Sequence, residues 1–171
     1  MQLRFLHVSG PNTEPANVDF VAGLNVIYGP SNTGKSHILR LIDYVLGAKD
    51  PPEAIAEQAL YDLVHLGVAM DDGTEKTLVR ALRGGEIRII EGLVKARPEP
   101  KQGTTVSARH GAKVSLSKML LDQLGAGGAR VQTKAAGDTK DLSFRDLGDY
   151  ALIEESKIQA RTSPVLTGST I

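Results

Sequence analysis

Apolar residues change their spacing several times along the chain, and each change predicts a different element. Near the start, residues 3–8 and 18–21 are short runs of β-type residues separated by a turn-rich stretch, and they predict two strands. Residues 24–28 are a third run of this kind. From residue 37 to 46 the apolar positions recur every three or four residues and end before Gly47, which predicts a helix.

After residue 62 the pattern returns to strict alternation and predicts an antiparallel meander. Its strands cover residues 64–70, 76–82 and 86–90, and tight turns are indicated at 71–73 and 84–85. Residues 55–61, between the helix and the meander, fit either a short helix or an extended connector.

The second half of the chain is less regular. Residues 92–113 are polar and carry several glycines and prolines, which predicts an irregular loop. A short helix is predicted over 116–124, with Ser115 or Ser117 as its N-cap and Gly125 after its end. The remaining predicted elements are strands at 130–133 and 142–144 around a turn at 137–138, and either a helix or a helix followed by a strand over 146–159.

The segment between the third strand and the first helix carries the most specific chemical signal. It reads Gly29-Pro30-Ser31-Asn32-Thr33-Gly34-Lys35-Ser36, which matches the phosphate-loop pattern GxxxxGK[ST]. The two glycines let the backbone wrap around a polyphosphate so that successive N–H groups face the anion. Lys35 can reach the β- and γ-phosphates, and the Ser36 hydroxyl is placed to ligate Mg²⁺. We therefore expect all eight residues to bind ATP and Mg²⁺; the absence of a guanine-reading NKxD motif favours adenine.

Composition narrows the class of protein. The chain has 171 residues, 41% hydrophobic and 23% charged, which suits one globular domain with a core. It has no cysteine, which excludes disulfides and thiolate metal sites. Its four histidines, His7, His37, His65 and His110, lie in different predicted elements and are interpreted as surface or packing residues. No apolar run approaches the roughly 18 residues that cross a bilayer, so we expect a cytoplasmic protein without a membrane partner.

The charges are balanced overall but unevenly distributed. Twenty basic residues match twenty acidic ones. Residues 43–91 contain ten acids and five bases, whereas residues 95–140 contain nine bases and three acids. The basic stretch could face a polyanion such as DNA. A solvated, lysine-rich set of loops is the simpler explanation of this stretch.

Hydrolysis would additionally require an acid pair at the end of a second apolar strand. Asp71 and Asp72 follow an apolar run but fall in a predicted hairpin turn, where aspartate is favoured for turn formation. Glu154 and Glu155 fit better formally, although the usual preceding aspartate is missing. A transferase would need a lid rich in arginine, for which Arg161 alone is no evidence. We therefore assign no catalytic residue.

The N-terminal layout resembles one branch of phosphate-loop proteins. Two short strands followed by residues 23–36 resemble the N-terminal lobe of the ABC-type ATPases of the structural-maintenance-of-chromosomes, RecN and RecF group, within the wider class of AAA family, phosphate-loop NTPases. The predicted meander resembles the β-subdomain of that lobe. The resemblance covers most of residues 1–90 and, more loosely, 115–165.

This resemblance implies a particular mode of action. Members bind ATP and Mg²⁺, form a head-to-head dimer around two nucleotides, complete hydrolysis with a C-terminal lobe, and couple it to DNA. The cellular roles compatible with this resemblance are DNA repair, chromosome maintenance and anti-phage defence. By position, Gln159 would sense the γ-phosphate, with Glu155 as a substitute. Residues 124–128 lack the serine of the family's signature and come too early in the chain.

We accordingly predict an α/β phosphate-loop NTPase half-domain with an antiparallel β-subdomain. The chain would be a single, truncated N-terminal ATPase lobe that binds ATP with little hydrolysis by itself. Its parts would be the phosphate-loop βα unit (1–50), the meander (62–91), the irregular loop (92–113) and a remaining α/β part (114–171). Two alternatives stay open: a small phosphotransferase with residues 92–113 as its lid, and a non-catalytic module gated by nucleotide.

Overall fold

The computed structural model describes residues 1–133 and 137–153 and places a six-stranded antiparallel sheet at the centre of the molecule. The strand order in the sheet is β2-β1-β3-β4-β5-β6, and β7 and β8 form a separate hairpin. The chain is therefore of the α/β class, with a mostly antiparallel sheet and few helices. The strands are β1 (Gln2–Gly10), β2 (Thr13–Asp19), β3 (Leu63–Ala69), β4 (Glu75–Ala81), β5 (Ile87–Glu91), β6 (Thr104–Val106), β7 (Arg130–Gln132) and β8 (Thr139–Asp141).

Three α-helices and one 3₁₀-helix complete the described elements. They are α1 (Lys35–Val45), α2 (Leu116–Gln123), α3 (Phe144–Ala151) and the 3₁₀-helix Ala56–Leu60, which resolves the open prediction for residues 55–61. Ser115, rather than Ser117, caps α2, because its hydroxyl accepts the Lys118 N–H at 3.3 Å. Within residues 1–133 and 137–153, no helix combines the length and the apolarity that spanning a membrane requires.

The predicted meander is confirmed, and the chain extends it on both sides. Strands β3, β4 and β5 pair in sequence, while β1 joins β3 and β6 joins β5. One face of the sheet carries apolar residues such as Leu6, Leu66 and Leu78, which pack with the buried side of α1 and with α2. Strict alternation in the sequence puts these residues on one face, as the period of two predicts.

The opposite face of the sheet is covered by the first part of the predicted irregular loop. Residues 92–103 contain no regular element, as expected, but they are anchored to the sheet. The Thr77 hydroxyl donates to the Gly92 carbonyl at 2.7 Å and accepts the Val94 N–H at 2.9 Å. The Lys95 ammonium lies 5.1 Å from the centroid of the Phe5 ring. Residues 104–106 then form β6, so the prediction of a loop as far as residue 113 is wrong there.

Three strand predictions need correction. The second strand is Thr13–Asp19 rather than 18–21, because Gly10 pairs with Thr13 and the supposed turn-rich stretch is itself a tight hairpin. The predicted strand at 142–144 is wrong: β8 ends at Asp141 and α3 begins at Phe144. A capping box explains this start, since Ser143 and Asp146 bond each other's backbone N–H groups.

The third correction concerns residues 24–28, which are not a strand in the described structure. They are extended between β2 and the phosphate loop, and none of the described strands pairs with them. Their apolar side chains face solvent: Leu24 is 88% exposed, Val26 71% and Tyr28 90%. The sequence pattern is that of a buried strand, but the neighbours that would bury it are not among the described elements.

Candidate phosphate-binding loop

Residues 29–36 form a tight loop that closes directly onto the N-terminus of α1. Gly34 is the N-cap of the helix and adopts a left-handed conformation, with φ 83° and ψ 3°. Asn32 also has a positive φ, 62°, and is the one non-glycine residue in the described chain to do so. Two left-handed residues within residues 32–34 curl the backbone, which allows neighbouring N–H groups to converge on an anion.

The loop is braced by its own side chains. The Thr33 hydroxyl donates to the Pro30 carbonyl at 2.9 Å. The Lys35 ammonium donates to the Gly29 carbonyl at 2.9 Å and also bonds the Pro30 carbonyl. It therefore links the end of the loop to its beginning. A phosphate would offer this ammonium a charged acceptor in place of neutral carbonyls, and charge-assisted hydrogen bonds are about twice as strong.

The hydroxyl of Ser36, the residue after Lys35, is the candidate contact for a metal ion. Ser36 lies in the first turn of α1 and is exposed to solvent. A hydroxyl at this point of a helix N-terminus is adjacent to the loop amides and can reach a cation that accompanies a phosphate. Within the described residues, no group of three histidine, aspartate or glutamate side chains could hold a metal ion by itself.

An apolar groove of about 270 Å³ adjoins the loop. It is close in size to the smaller sites that take small organic ligands. Strands β1 and β2, helix α1 and the 3₁₀-helix provide its walls. The rim toward the loop contains Thr33, Gly34 and His37, and the apolar lining includes Leu6, Val18, Ile38, Leu41 and Tyr61.

His37 packs beside the loop as a neutral side chain. It is half-buried in the first turn of α1, and burial is the main cause that lowers its pKa below the usual value. At neutral pH it is uncharged, so the positive charge of residues 29–37 comes from Lys35. This agrees with the interpretation of His37 as a packing residue.

The segment that enters the loop is locally ordered but open to solvent. The Asn25 side chain accepts the Val21 N–H at 2.9 Å and donates to the Val21 carbonyl at 2.9 Å. These bonds hold a turn at residues 21–25, after β2. Residues 26–28 then lead to the loop with exposed apolar side chains, as described above.

Asp71 and Asp72, the predicted acidic candidates within the described residues, lie in a turn of the sheet and not at the loop. Asp72 accepts the Thr74 N–H at 2.9 Å and its hydroxyl at 2.7 Å, and these bonds lower the pKa of its carboxyl group. Asp71 bonds the N-terminal ammonium at 2.6 Å. Both therefore act in the β3–β4 turn, as the sequence predicted. Four further candidates lie outside the described residues: Glu154, Glu155, Gln159 and Arg161.

The burial of one charged residue, Arg80, was not predicted from the sequence. Arg80 lies on the inward face of β4, in register with Val64, and is only 3% exposed. Its position two residues after Leu78 could have predicted this burial, because residues two apart in a strand lie on the same face of the sheet. The structure places this buried charge away from the phosphate loop, at the other end of α1.

No protein-family model and no curated protein matches this chain. The features of this chain that bear on function are the loop, the helix that follows it and the surfaces around both.

Proposed function

We propose that this chain is the ATP- and Mg²⁺-binding lobe of an ATPase, and that a second lobe and a dimer partner complete hydrolysis. The observation that carries the proposal is the loop Gly29–Ser36 with its junction to α1. The motif and its helix occur together, and the left-handed Gly34 lies at the N-cap, where the backbone turns from the loop into the helix. By resemblance, the broader role would lie in DNA repair, chromosome maintenance or anti-phage defence.

The residues present fit a nucleoside triphosphate. Residues 32–35 would cradle the phosphates with backbone N–H groups, and Lys35 would exchange its carbonyl contacts for phosphate oxygens. Ser36 would hold Mg²⁺, which neutralises phosphate charge when it is bound. The apolar groove beside Thr33 and His37 offers a surface for a base, which inorganic phosphate would not need.

The exposed segment before the loop supports the idea of a second lobe. Leu24, Val26 and Tyr28 carry the alternation and apolar character of a strand, yet they lie in solvent. An extended apolar segment with unpaired backbone is a template for another strand. A strand supplied by a C-terminal lobe would both bury these side chains and extend the sheet beside the phosphate loop.

Calorimetric titration with ATP and Mg²⁺ tests the binding step. We expect the wild-type chain to bind and Lys35→Ala to lose binding, because the variant removes the charge that contacts the phosphates. Lys101→Ala is the matched control, since Lys101 is an exposed lysine in the segment that covers the other face of the sheet. Equal ATP affinity in wild type and Lys35→Ala would overturn the proposal.

Turnover assays separate the split-site ATPase from its rivals. The proposal predicts little hydrolysis by this chain alone, and an increase when a longer natural product supplies the second lobe, with or without DNA. Rapid phosphoryl transfer by the isolated chain to a small acceptor would favour a phosphotransferase instead. Binding without turnover in any combination would favour a nucleotide-gated module.

A further inference from the structure

We propose a second anion-binding site in this chain, distinct from the phosphate loop and suited to a small phosphorylated ligand. The site is a cavity of about 750 Å³ at the C-terminal end of α1. Its walls come from that helix end, the β4–β5 turn, residues 107–110 and the starts of α2 and α3. The volume lies within the range of about 300–1,000 Å³ typical of small-molecule sites.

The base of the cavity holds a buried charge without a counter-ion. The Arg80 guanidinium donates through Nη1 to the carbonyls of Tyr44 at 2.6 Å and Ala48 at 2.7 Å. It also donates through Nε to the Gly85 carbonyl at 3.3 Å and lies 3.9 Å from the centroid of the Tyr44 ring. Among residues 1–133 and 137–153, no carboxylate forms an ion pair with it. Carbonyl dipoles offset only part of the cost of burying a charge, and an anion in the cavity would supply the rest.

Three exposed cations add to the charge of Arg80. Lys49, Arg109 and Arg145 line the cavity and are exposed. Arg145 pairs with Asp43 at 2.7 Å, whereas Lys49 and Arg109 form no ion pair within the described part of the chain. The lining contains two acidic residues, Asp50 and Glu86, against these three cations and Arg80. The balance of charge therefore favours an anion.

The chemistry of the lining favours phosphate among anions. Three of the four cations are arginines, whose planar guanidinium groups match phosphate oxygens in pairs. The Ser107 hydroxyl also lines the cavity and offers an additional donor. A cavity of this volume admits a compound of nucleotide dimensions.

This site and the phosphate loop lie at opposite ends of one helix. Lys35 is the first residue of α1, and Tyr44, whose carbonyl bonds Arg80, is next to the last. The helix has 11 residues and is about 16 Å long, so one phosphate group cannot contact both ends. The two sites are therefore separable by mutation.

Calorimetric titration with inorganic pyrophosphate, without Mg²⁺, tests the inference in a Lys35→Ala background that removes the charged contact of the loop to phosphate. We expect the Lys35→Ala chain to bind pyrophosphate, and the additional changes Lys49→Ala and Arg109→Ala to weaken binding about tenfold or more. Both residues are exposed, so these changes leave the core intact. Lys101→Ala in the same background is the control and should leave the affinity unchanged.

Two results would overturn the inference: no pyrophosphate binding once Lys35 is replaced, or equal weakening by Lys101→Ala and by the cavity changes. A short DNA duplex is the second probe. If the duplex binds through Lys49 and Arg109 while pyrophosphate does not, the cations form an open basic surface and the small-ligand site is wrong. The proposed ATP site fails separately, through an unchanged ATP affinity of the single Lys35→Ala variant.

Discussion

The imidazole of His7 stands edge-on to that of His65, with the ring centroids 5.2 Å apart and the planes perpendicular. The two residues are register partners on β1 and β3 and are both buried. His65 Nε2 is hydrogen-bonded to the Ser9 hydroxyl at 3.2 Å, whereas the Nδ1 atoms of both rings have no partner within the described residues. Burial, followed by the charge of the other histidine, lowers the pKa of His65 to about 4, and burial also lowers the pKa of His7.

This pair predicts that acid destabilises the fold before the carboxylates titrate fully. The unfolded chain takes up a proton at His65 near pH 6.5, whereas the folded chain does so only near pH 4. The neutral His65 ring therefore makes its full contribution to the free energy of unfolding above pH 6.5. This contribution, up to about 3 kcal/mol, is lost as the pH falls toward 4. Urea unfolding at a series of pH values across this range measures the change in the free energy of unfolding. His65→Gln should flatten the dependence, and an unchanged slope in that variant would contradict the assignment.

Gly67 makes room for the Phe5 ring, so Gly67→Ala should destabilise the protein. An added Cβ would lie 2.4 Å from Phe5 Cε1, and Phe5 is only 3% exposed. We expect a loss of about 1–3 kcal/mol in the free energy of unfolding, since overpacking a core forces side chains from their rotamers. Thermal or urea unfolding provides the measurement.

The smaller side chain of Phe5→Leu should relieve that clash. In the double variant, the cost of adding Gly67→Ala should be smaller than in the wild type, because the ring edge is gone. Strict additivity of the two changes would show that Gly67 is required for a reason other than the ring.

Two arginines with similar numbers of hydrogen bonds should differ sharply in their effect on stability. Arg80 is buried and satisfies three backbone carbonyls, so Arg80→Ala should cost about 3 kcal/mol. Arg97 is half-exposed and pairs with Asp62 through both nitrogens, so Arg97→Ala should cost less than about 1 kcal/mol. Parallel urea titrations compare them, and equal losses would mean that burial does not set the difference.

The exposed segment before the phosphate loop should tolerate polar residues in this chain. Val26→Ser should change the free energy of unfolding by less than about 0.5 kcal/mol, because Val26 is 71% exposed. Leu66→Ser, at a fully buried position of β3, is the control and should cost several kcal/mol. A large loss in Val26→Ser would mean that residues 24–28 are packed within this chain. In the presence of a completing lobe, the same variant should weaken association.

The predictable part of the fold was the part with local periodicity. The alternation of β3, β4 and β5 and the three-to-four spacing of α1 placed these elements within a few residues. The loop Gly29–Ser36 was visible because its chemistry fixes residue types at fixed positions. The start of α3 differs from the prediction because residues 142–144 resemble a strand in composition, whereas the capping box of Ser143 and Asp146 begins a helix there.

What could not be predicted depends on contacts between distant segments. The anchoring of residues 92–103 through Thr77 follows from tertiary packing that polar composition does not encode. The same applies to Arg80, whose burial depends on the carbonyls of Tyr44 and Ala48, 36 and 32 residues earlier in the chain. Residues 24–28 show the converse. Their pattern predicts a buried strand, and the described structure leaves it without a partner.

The most direct test of the central claim is an amide NMR titration of the uniformly ¹⁵N-labelled chain with ATP and Mg²⁺. The account predicts saturable shifts centred on the amides of residues 32–36, extending into the adjoining groove at His37, and no such shifts in Lys35→Ala at the same concentrations. Shifts that avoid residues 29–36, or that persist unchanged in Lys35→Ala, would contradict it.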